Sequence, residues 1–329
     1  MPVLLLSQED VYAALSPADC ERAMTEVLVA RARGEAFEPL RSVMLAPGAP
    51  GFVGLMPAWR GGDPGVFALK AICVIGGNPA RGLDAHQGIV TLFDGETGVP
   101  TAIMNASAVT EIRTAAVTAA ATRMLARKDA RVLAILGAGV QGRAHLRAFD
   151  GLRDWSEIRV YAPTAEHARA LAGAAPGSGA GGAAVAGTAE QAVRGADVVV
   201  VATSSREPVL EHGWLAPGAH VNAVGASSPA AWEIDVATVA ASRLFCDSRE
   251  SLRNEAGEFI LAVSEGAIPG EDHVQAELGE VLAGLDPGRR DDGELTLFRS
   301  LGIGVEDLAA AELTIANARR LGLGTEVEL

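Results

Sequence analysis

Lysine is almost missing from this sequence. Its 329 residues include two lysines, Lys70 and Lys128, beside 25 arginines, and only 4% of the residues are aromatic. Acidic residues outnumber basic ones, so the net charge is −14 and the pI is about 4.9. Such a surface repels nucleic acids and anionic membranes, and we expect neither as a partner. Where arginines line a cleft, the expected ligand is a small anion.

Cysteine and long apolar runs are also scarce. Cys20, Cys73 and Cys246 are too few and too scattered for a disulfide framework or a zinc site. We therefore expect all three to be reduced and buried, and we predict no metal. The longest apolar runs, such as ADVVVVAT, are far shorter than the roughly 18 residues that span a bilayer. The N-terminal MPVLLLSQED lacks a basic segment, which argues against a signal peptide and favours the cytoplasm.

From Ala130 onward the sequence alternates apolar strands, glycine turns and helices. RVLAILGAG leads into a helix predicted over 140–149, and EIRVYA leads into a second helix over 164–174 that Thr164 can cap. GSGAGGAAVAG (177–187) indicates a loop and a weak strand, and ADVVVVAT, HVNAVGA and SRLFCDS indicate three more buried strands. Continuous apolar runs are typical of a parallel sheet covered on both faces. The expected fold class is therefore α/β, with a Rossmann-type doubly wound parallel sheet.

The first 112 residues follow a different pattern. After one helix predicted over 17–33 come the strand-like segments PLRSVMLA, GFVGLMP, VFALKAICVIG, GIVTLFD and PTAIMN. Strands so close in sequence indicate an antiparallel sheet. The last segment, VEDLAAAELTIANARRLG, has helical spacing and a glycine stop, and we expect it to return to this first domain. The predicted domains are 1–112 with 306–329, and 113–305.

A glycine-rich loop marks the expected cofactor site. GAGVQG places Gly137, Gly139 and Gly142 directly after an apolar strand and at the start of a helix. The first glycine permits a tight turn, the second lets a pyrophosphate approach the backbone, and the third allows close packing of helix and strand. The helix N-terminus offers free N–H groups to the phosphates. A dinucleotide site is favoured over a purely structural turn.

The position that would read the ribose is neutral. The second strand ends near Ala162, where an NAD enzyme commonly has an acid, and Pro163 occupies the place of a nearby arginine. Without an acid nothing repels a 2′-phosphate, and Thr164 with its helix N-terminus could hold one. NADPH is preferred weakly, and NADH stays open.

Lys70 poses the main question, because it interrupts VFALKAICVIGG, a strand predicted to be wholly buried. A lysine there could also snorkel from an edge strand. A lysine that burial desolvates should have a lowered pKa.

The sequence resembles the ornithine cyclodeaminase/mu-crystallin family along nearly its whole length. The resemblance rests on LMP, Lys70, GIVTLFDGETGVPTA, VTEIRTAA, GAGVQG, VNAVGAS, ELGEV and FRSLGIGVED, in that order. It implies a nicotinamide cofactor bound by a central Rossmann domain, and a smaller α+β domain from both chain ends that binds substrate and forms a homodimer. It also implies that Lys70, Arg41 and Arg113 line the substrate pocket. Arginines suit a bidentate clamp on a carboxylate, although Arg41 could pair with a surface acid and Arg113 could contact cofactor phosphate.

One segment departs from the cyclodeaminase pattern. Ser227 stands in GASSPAAWEID where the cyclodeaminases and alanine dehydrogenases have an Asp that reaches the reacting carbon. A serine is a poor base without a partner, and the GAS version resembles the mu-crystallin/ketimine reductase branch. Ser227 would bind substrate or the nicotinamide amide, and Glu255 matches an acid that faces the ligand cleft in mu-crystallin-like members. His86, Glu277 and Glu280 have structural explanations, although His86 could line the cofactor pocket.

The resemblance therefore implies an NAD(P)H-dependent reductase of small cyclic ketimine carboxylates, such as pyrroline-2-carboxylate or piperideine-2-carboxylate, that yields the L-amino acid. Alternatives are an ornithine cyclodeaminase, an NAD-dependent amino-acid dehydrogenase, or an NADPH-dependent small-ligand binding protein. The expected cofactor contacts are Thr114, Gly137, Gly139, Val140, Gln141, Gly142, Ala162, Pro163, Thr164, Ala202, Thr203, Val224, Ser227, Ser300 and Gly302.

Overall fold

The computed structural model describes residues 2–175 and 182–328, which form two compact units. Unit 1 comprises Met1–Arg113 and Gly302–Leu329, and unit 2 comprises Thr114–Leu301. Unit 1 thus includes Arg113 and residues 302–305, which the sequence-based division assigns to the other domain.

Unit 1 is built on a mixed sheet. Its strands are β1 (Val3–Leu6), β2 (Ala36–Phe37), β3 (Ser42–Met44), β4 (Gly51–Arg60), β5 (Val66–Ile75), β6 (His86–Asp94), β7 (Pro100–Asn105) and β16 (Thr325–Val327). They are ordered β16-β1-β7-β6-β5-β4-β2, with β3 paired to β4. The predicted antiparallel arrangement is confirmed for every pair except β1 with β7, which is parallel.

Three helices belong wholly to unit 1, and a fourth carries the boundary between the units. They are α1 (Gln8–Ala14), α2 (Pro17–Ala32), α11 (Gly304–Leu321) and α3 (Ala106–Leu125). The predicted helix over 17–33 is confirmed as α2, whose first turn has the Ser16 side chain accepting from the Asp19 amide and a proline at its start. The predicted glycine stop is confirmed too, because α11 ends at Gly322 with φ 69°. The α11 helix packs on α2, β4 and β5.

Strand β5 corrects one expectation. It is not wholly buried, because its side chains alternate: Ala68, Lys70 and Ile72 are buried, whereas Phe67 and Cys73 are exposed. An antiparallel sheet with helices on one face leaves the other face uncovered. Cys73 lies on the uncovered face, so the expectation that all three cysteines are buried is wrong for it and correct for Cys20 and Cys246.

Unit 2 is the predicted Rossmann-type domain. Its strands are β8 (Val132–Leu136), β9 (Glu157–Tyr161), β10 (Ala184–Val185), β11 (Val198–Val201), β12 (His220–Ala223), β13 (Arg243–Cys246), β14 (Val274–Glu277) and β15 (Thr296–Arg299). They form one parallel sheet in the order β10-β9-β8-β11-β12-β15-β13-β14. The strands β14 and β15 were not predicted from the sequence. Residues 177–181 of the predicted loop in GSGAGGAAVAG lie outside the described residues, and its weak strand is β10.

The helices of unit 2 cover both faces of this sheet's core strands, as a doubly wound fold requires. They are α4 (Val140–Ala148), α5 (Ala165–Gly173), α6 (Ala189–Val193), α7 (Val236–Ala241), α8 (Arg249–Glu255), α9 (Gly257–Ser264) and α10 (Leu278–Leu282). The fully buried valines of β11 show why that strand reads as a continuous apolar run. In the described part of the chain, we find no helix with the length and apolarity needed to cross a membrane.

Candidate active site

Lys70 lies on the buried face of unit 1, with 2% of its surface exposed. Its Nζ donates to both carboxylate oxygens of Asp307, at 3.1 and 3.2 Å. Asp307 is fully buried in the first turn of α11. The explanation that Lys70 snorkels to solvent is therefore wrong.

Arg113 joins the same carboxylate from α3. Its Nε donates to Asp307 Oδ1 at 3.0 Å, and its Nη1 donates to Glu306 Oε2 at 2.9 Å. Both acids occupy the N-terminal turn of α11, where the helix dipole also favours negative charge. These two carboxylates explain why the charged groups of Arg113 and Lys70 can be buried in an apolar interior.

Arg41 approaches the cluster through the chain segment before α11. Its Nη2 donates to the carbonyl oxygen of Gly302 at 2.7 Å. Gly302 has φ +74°, and a Cβ there would lie 2.4 Å from Arg113 Nη1, so only glycine fits. Gly302, predicted from the sequence as a cofactor contact, thus lies beside Arg41 and Arg113.

The charged cluster, which we define as Lys70, Arg41, Arg113, Glu306 and Asp307, shifts the pKa of two of its members. Burial lowers the pKa of Lys70 to about 8; the Asp307 charge opposes that shift, and the arginine charges add to it. Burial acts to raise the pKa of Asp307, but Arg113 and Lys70 together hold it below its ordinary value. The cations Lys70, Arg41 and Arg113 thus act on one another electrostatically, and such a group can hold a substrate carboxylate.

The glycine loop of unit 2 has the shape that a dinucleotide requires. Gly137 has φ +111°, and a Cβ on it would lie 2.2 Å from the Ala202 carbonyl oxygen. Beside Gly139 there is open space, with no atom within 4 Å of an added Cβ. At Gly142 an added Cβ would lie 2.0 Å from the Gly137 carbonyl oxygen. The backbone is thus tightly packed at the first and third glycines and accessible at the second, where a pyrophosphate would approach.

Other predicted cofactor contacts follow the carboxyl ends of neighbouring strands. Ala162 follows β9, Ala202 and Thr203 follow β11, and Val224 follows β12. The Gly137 amide donates to the Tyr161 carbonyl oxygen at 2.9 Å, which ties the glycine loop to the end of β9. Ligands of doubly wound sheets bind at this edge, so the arrangement can hold a dinucleotide.

Four further predicted cofactor contacts lie at the starts of the helices α4 and α5. Val140 and Gln141 begin α4, whose N-terminus no side chain caps. Thr164 occupies the N-cap position of α5, but the predicted capping bond is absent, so the prediction that its side chain caps the helix is wrong. Its φ of −92° and ψ of 109° do place it at the helix start, and both it and Pro163 are exposed.

The four other predicted residues of unit 2 differ in exposure. Ser227 is exposed after β12, whereas Glu255 is buried at the end of α8. Ser300 is buried, and its amide donates to the Ala223 carbonyl oxygen at 3.1 Å. Thr114 is buried within α3, where its carbonyl oxygen accepts from the Thr118 hydroxyl at 3.2 Å.

Sequence reasoning missed the acids that organise both units. Glu306 and Asp307 begin the last helix, where acids are common in any protein, so GVED gave no distinctive signal beyond its place in the family motif. Glu233 of unit 2 was missed as well. It is 1% exposed, and its carboxylate accepts from the backbone amides of Thr203 and Ala226 at 2.6 and 2.9 Å.

A family model described as the ornithine cyclodeaminase/mu-crystallin family matches residues 2–320. The chain belongs to this family. A curated relative, the mouse (Mus musculus) ketimine reductase mu-crystallin, is 37% identical over 280 residues, which is 85% of each chain. The expected family is thereby confirmed.

Solved structures of the family have the same fold. The Thermococcus litoralis Δ1-pyrroline-2-carboxylate reductase, in complex with NADH and L-proline, is 35% identical, with a TM-score of 0.94 over 99% of this chain and 100% of that one. An archaeal alanine dehydrogenase dimer with bound NAD is 33% identical, with a TM-score of 0.93 over the full length of both chains. The predicted fold class is confirmed by these similarities.

Proposed function

We propose that the protein is an NAD(P)H-dependent reductase of small imine carboxylates, such as the cyclic ketimines pyrroline-2-carboxylate and piperideine-2-carboxylate, and that it produces the L-amino acid. The observation that carries this proposal is the buried Lys70 amine, held among two arginines and two carboxylates. The resemblance to imine reductases over most of the chain supports the same reaction class.

Within the charged cluster, the cations have separate roles. We assign the substrate carboxylate to Arg41 together with Arg113, because a guanidinium can hold a carboxylate through two N–H donors. The bonds from Arg113 to Glu306 and Asp307 fix its position. The Lys70 Nζ holds a proton that can move to the imine nitrogen, because its pKa of about 8 lies near neutral pH. Asp307 orients that amine and stabilises its charged form.

The residues of unit 2 fit a nicotinamide dinucleotide. The glycine loop would hold the pyrophosphate, and the residues after β9, β11 and β12 would hold the two nucleosides. The bound reduced nicotinamide would supply a hydride to the carbon of the C=N bond. Ser227 would form a hydrogen bond with the substrate or with the nicotinamide amide. Glu255 is a weaker candidate for a side chain that faces the ligand.

The choice of cofactor rests on the end of β9. Ala162 is neutral, and the exposed Thr164 lies at the start of α5, where amides can receive a phosphate. We therefore keep the weak preference for NADPH, with NADH as the alternative that the NADH complex of the relative favours.

Assembly into a homodimer belongs to the same proposal. Leu55, Phe67 and Ile89 are 40%, 46% and 45% exposed on the face of the unit 1 sheet away from its helices. An exposed sheet face is usually polar, so an apolar one indicates a partner surface. The dimeric alanine dehydrogenase relative supports a second copy of the chain as that partner, and we keep the cytoplasm as the expected location.

The first test is a spectrophotometric assay with NADPH or NADH and a panel of cyclic ketimine carboxylates. Loss of the reduced-nicotinamide absorbance with one ring size would support the reductase and identify the cofactor. No turnover despite cofactor binding would contradict it. The same assay with amino acids and oxidised cofactor then tests the second candidate, an amino-acid dehydrogenase, which the similarity to alanine dehydrogenase favours.

A further inference from the structure

A buried carboxylate joins two loops at the ligand-binding edge of unit 2. Glu233 Oε1 accepts from the Thr203 amide and hydroxyl, at 2.6 and 2.7 Å. Its Oε2 accepts from the amides of Gly225 and Ala226, at 2.5 and 2.9 Å. One side chain thus collects four donors from the segments that follow β11 and β12.

The backbone around this carboxylate has no spare room. A Cβ on Gly225 would lie 2.4 and 2.6 Å from the two Glu233 oxygens and 2.1 Å from the Thr203 carbonyl oxygen. The position therefore requires glycine because of the close approach of Glu233. Arg299 also holds this loop. Its Nη1 donates to the Ala223 carbonyl oxygen at 3.0 Å, and its Nη2 donates to the Ala226 carbonyl oxygen.

These loops belong to the second nucleotide-binding half of the sheet. The strands β8, β9 and β10 form the first half, and β11 and β12 continue the sheet on the other side of β8. In a doubly wound fold each half serves one mononucleotide, at the carboxyl ends of its strands. The loops after β11 and β12 therefore serve the nicotinamide half, and Ser227 directly follows the Ala226 amide that Glu233 holds.

We propose that Glu233 is a positioning residue for the nicotinamide half of the cofactor. It fixes the Thr203 and Gly225–Ala226 amides, and thereby gives the loops after β11 and β12 their shape before the ligand arrives. Preformed loops avoid the cost of ordering on binding. This inference rests on the proposed dinucleotide function of unit 2.

The test compares two ligands that share the adenine half. The full chain and its Glu233→Gln variant are titrated with NADH and with ADP, with Glu190→Gln as the matched control, because Glu190 lies on α6 in an exposed ion pair with Arg194. Glutamine replaces one accepting oxygen by a donor that faces backbone N–H groups. We expect about a tenfold loss of NADH affinity, as for a lost hydrogen bond to a charged group, and less than a twofold change for ADP.

Equal losses for NADH and ADP, or an unchanged NADH affinity, would overturn the positioning role. A wild-type chain that binds ADP but neither NADH nor NADPH would instead contradict the proposed function itself. If only NADPH binds, NADPH and 2′,5′-ADP replace NADH and ADP in the same comparison. If Glu233→Gln does not fold, Thr203→Val keeps the backbone and removes the hydroxyl, which donates to Glu233 and accepts from the Ser205 amide. It should lose NADH affinity selectively by a few-fold, with Thr203→Ser restoring it, and no selective loss in that variant would overturn the proposal.

Discussion

At the scale of single residues, the distinguishing feature of unit 1 is an ion pair between residues far apart in sequence. Lys70, the catalytic candidate, pairs with Asp307, which lies 237 positions away. Lys70 could be singled out from the sequence because a lysine in an apolar strand is unusual in a chain with two lysines. Asp307 could not, because an acid at a helix start is ordinary. Its role depends on packing α11 against β5, which no local pattern states.

Replacing Lys70 by alanine should abolish turnover and leave cofactor binding intact. A positioned proton donor contributes roughly 10²–10⁴-fold to rate, and the glycine loop lies in a different unit. Steady-state rates and NAD(P)H titration check both parts. The exposed Lys128 is the matched control, and near-normal activity of Lys70→Ala would contradict the proposed role.

The pH profile should report the Lys70 amine. Its pKa is about 8, so the protonated donor is present below that pH and is lost as the pH rises through it. We expect log kcat/KM for ketimine reduction to fall above about pH 8. In Asp307→Asn this fall should move to lower pH, because Asp307 is the group that opposes the lowering. An unchanged profile in that variant would be inconsistent with the assignment.

Removing Asp307 should also be costly to the fold. Breaking a buried ion pair typically destabilises by about 3–5 kcal/mol, since the partner is left charged in the interior. Denaturant unfolding of Asp307→Asn measures this loss. Glu312→Gln, on the same helix but in a pair with Arg60 whose side chains are 31% and 27% exposed, should lose no more than about 1 kcal/mol. Similar losses for the two variants would contradict the importance of burial.

At the scale of elements, the sequence predicted best where local chemistry sets the structure. The glycine loop, the helices α2, α4 and α11 and the strands β9, β11, β12 and β13 agree with their patterns. The strands β14 and β15 were missed because their sequences, VQAE and TLFR, mix polar or charged residues with apolar ones and lack the continuous apolar run of β11. The alternation of β5 was missed because apolar residues fill both of its faces. Glu233 was missed because its donors are backbone amides, which the sequence does not display.

Two glycines of the loop should respond differently to alanine. At Gly142 the added Cβ would collide with the Gly137 carbonyl, so the variant should lose stability as well as cofactor affinity. At Gly139 the space is open and φ is −77°, so Gly139→Ala should fold nearly normally and lose mainly cofactor affinity. Thermal unfolding without ligand and NAD(P)H titration separate the two effects. A strongly destabilised Gly139→Ala would show that the space beside it is not open.

At the scale of the whole molecule, the sheet of unit 1 exposes an apolar face that no part of the described chain covers. Binary patterning cannot reveal it, because exposed apolar residues in β4, β5 and β6 look like core residues in the sequence. Their placement on the uncovered face became evident only from strand register.

Ile89→Glu should convert the proposed dimer to a monomer. A charge placed in an apolar interface loses its hydration without a partner, which disfavours association. Light scattering coupled to size-exclusion chromatography measures the mass. Leu285→Glu is the matched control, since Leu285 is 70% exposed but lies in unit 2. A wild-type monomer, or an unchanged mass in Ile89→Glu, would contradict the proposed interface.

The discontinuous composition of unit 1 also sets an order of events during synthesis. Unit 2 is one uninterrupted stretch, Thr114–Leu301, and can fold while translation continues. Unit 1 must wait for α11, because Lys70 and Arg113 are buried together with Glu306 and Asp307, which leave the ribosome much later. Unit 1, although most of it is encoded first, is therefore completed last.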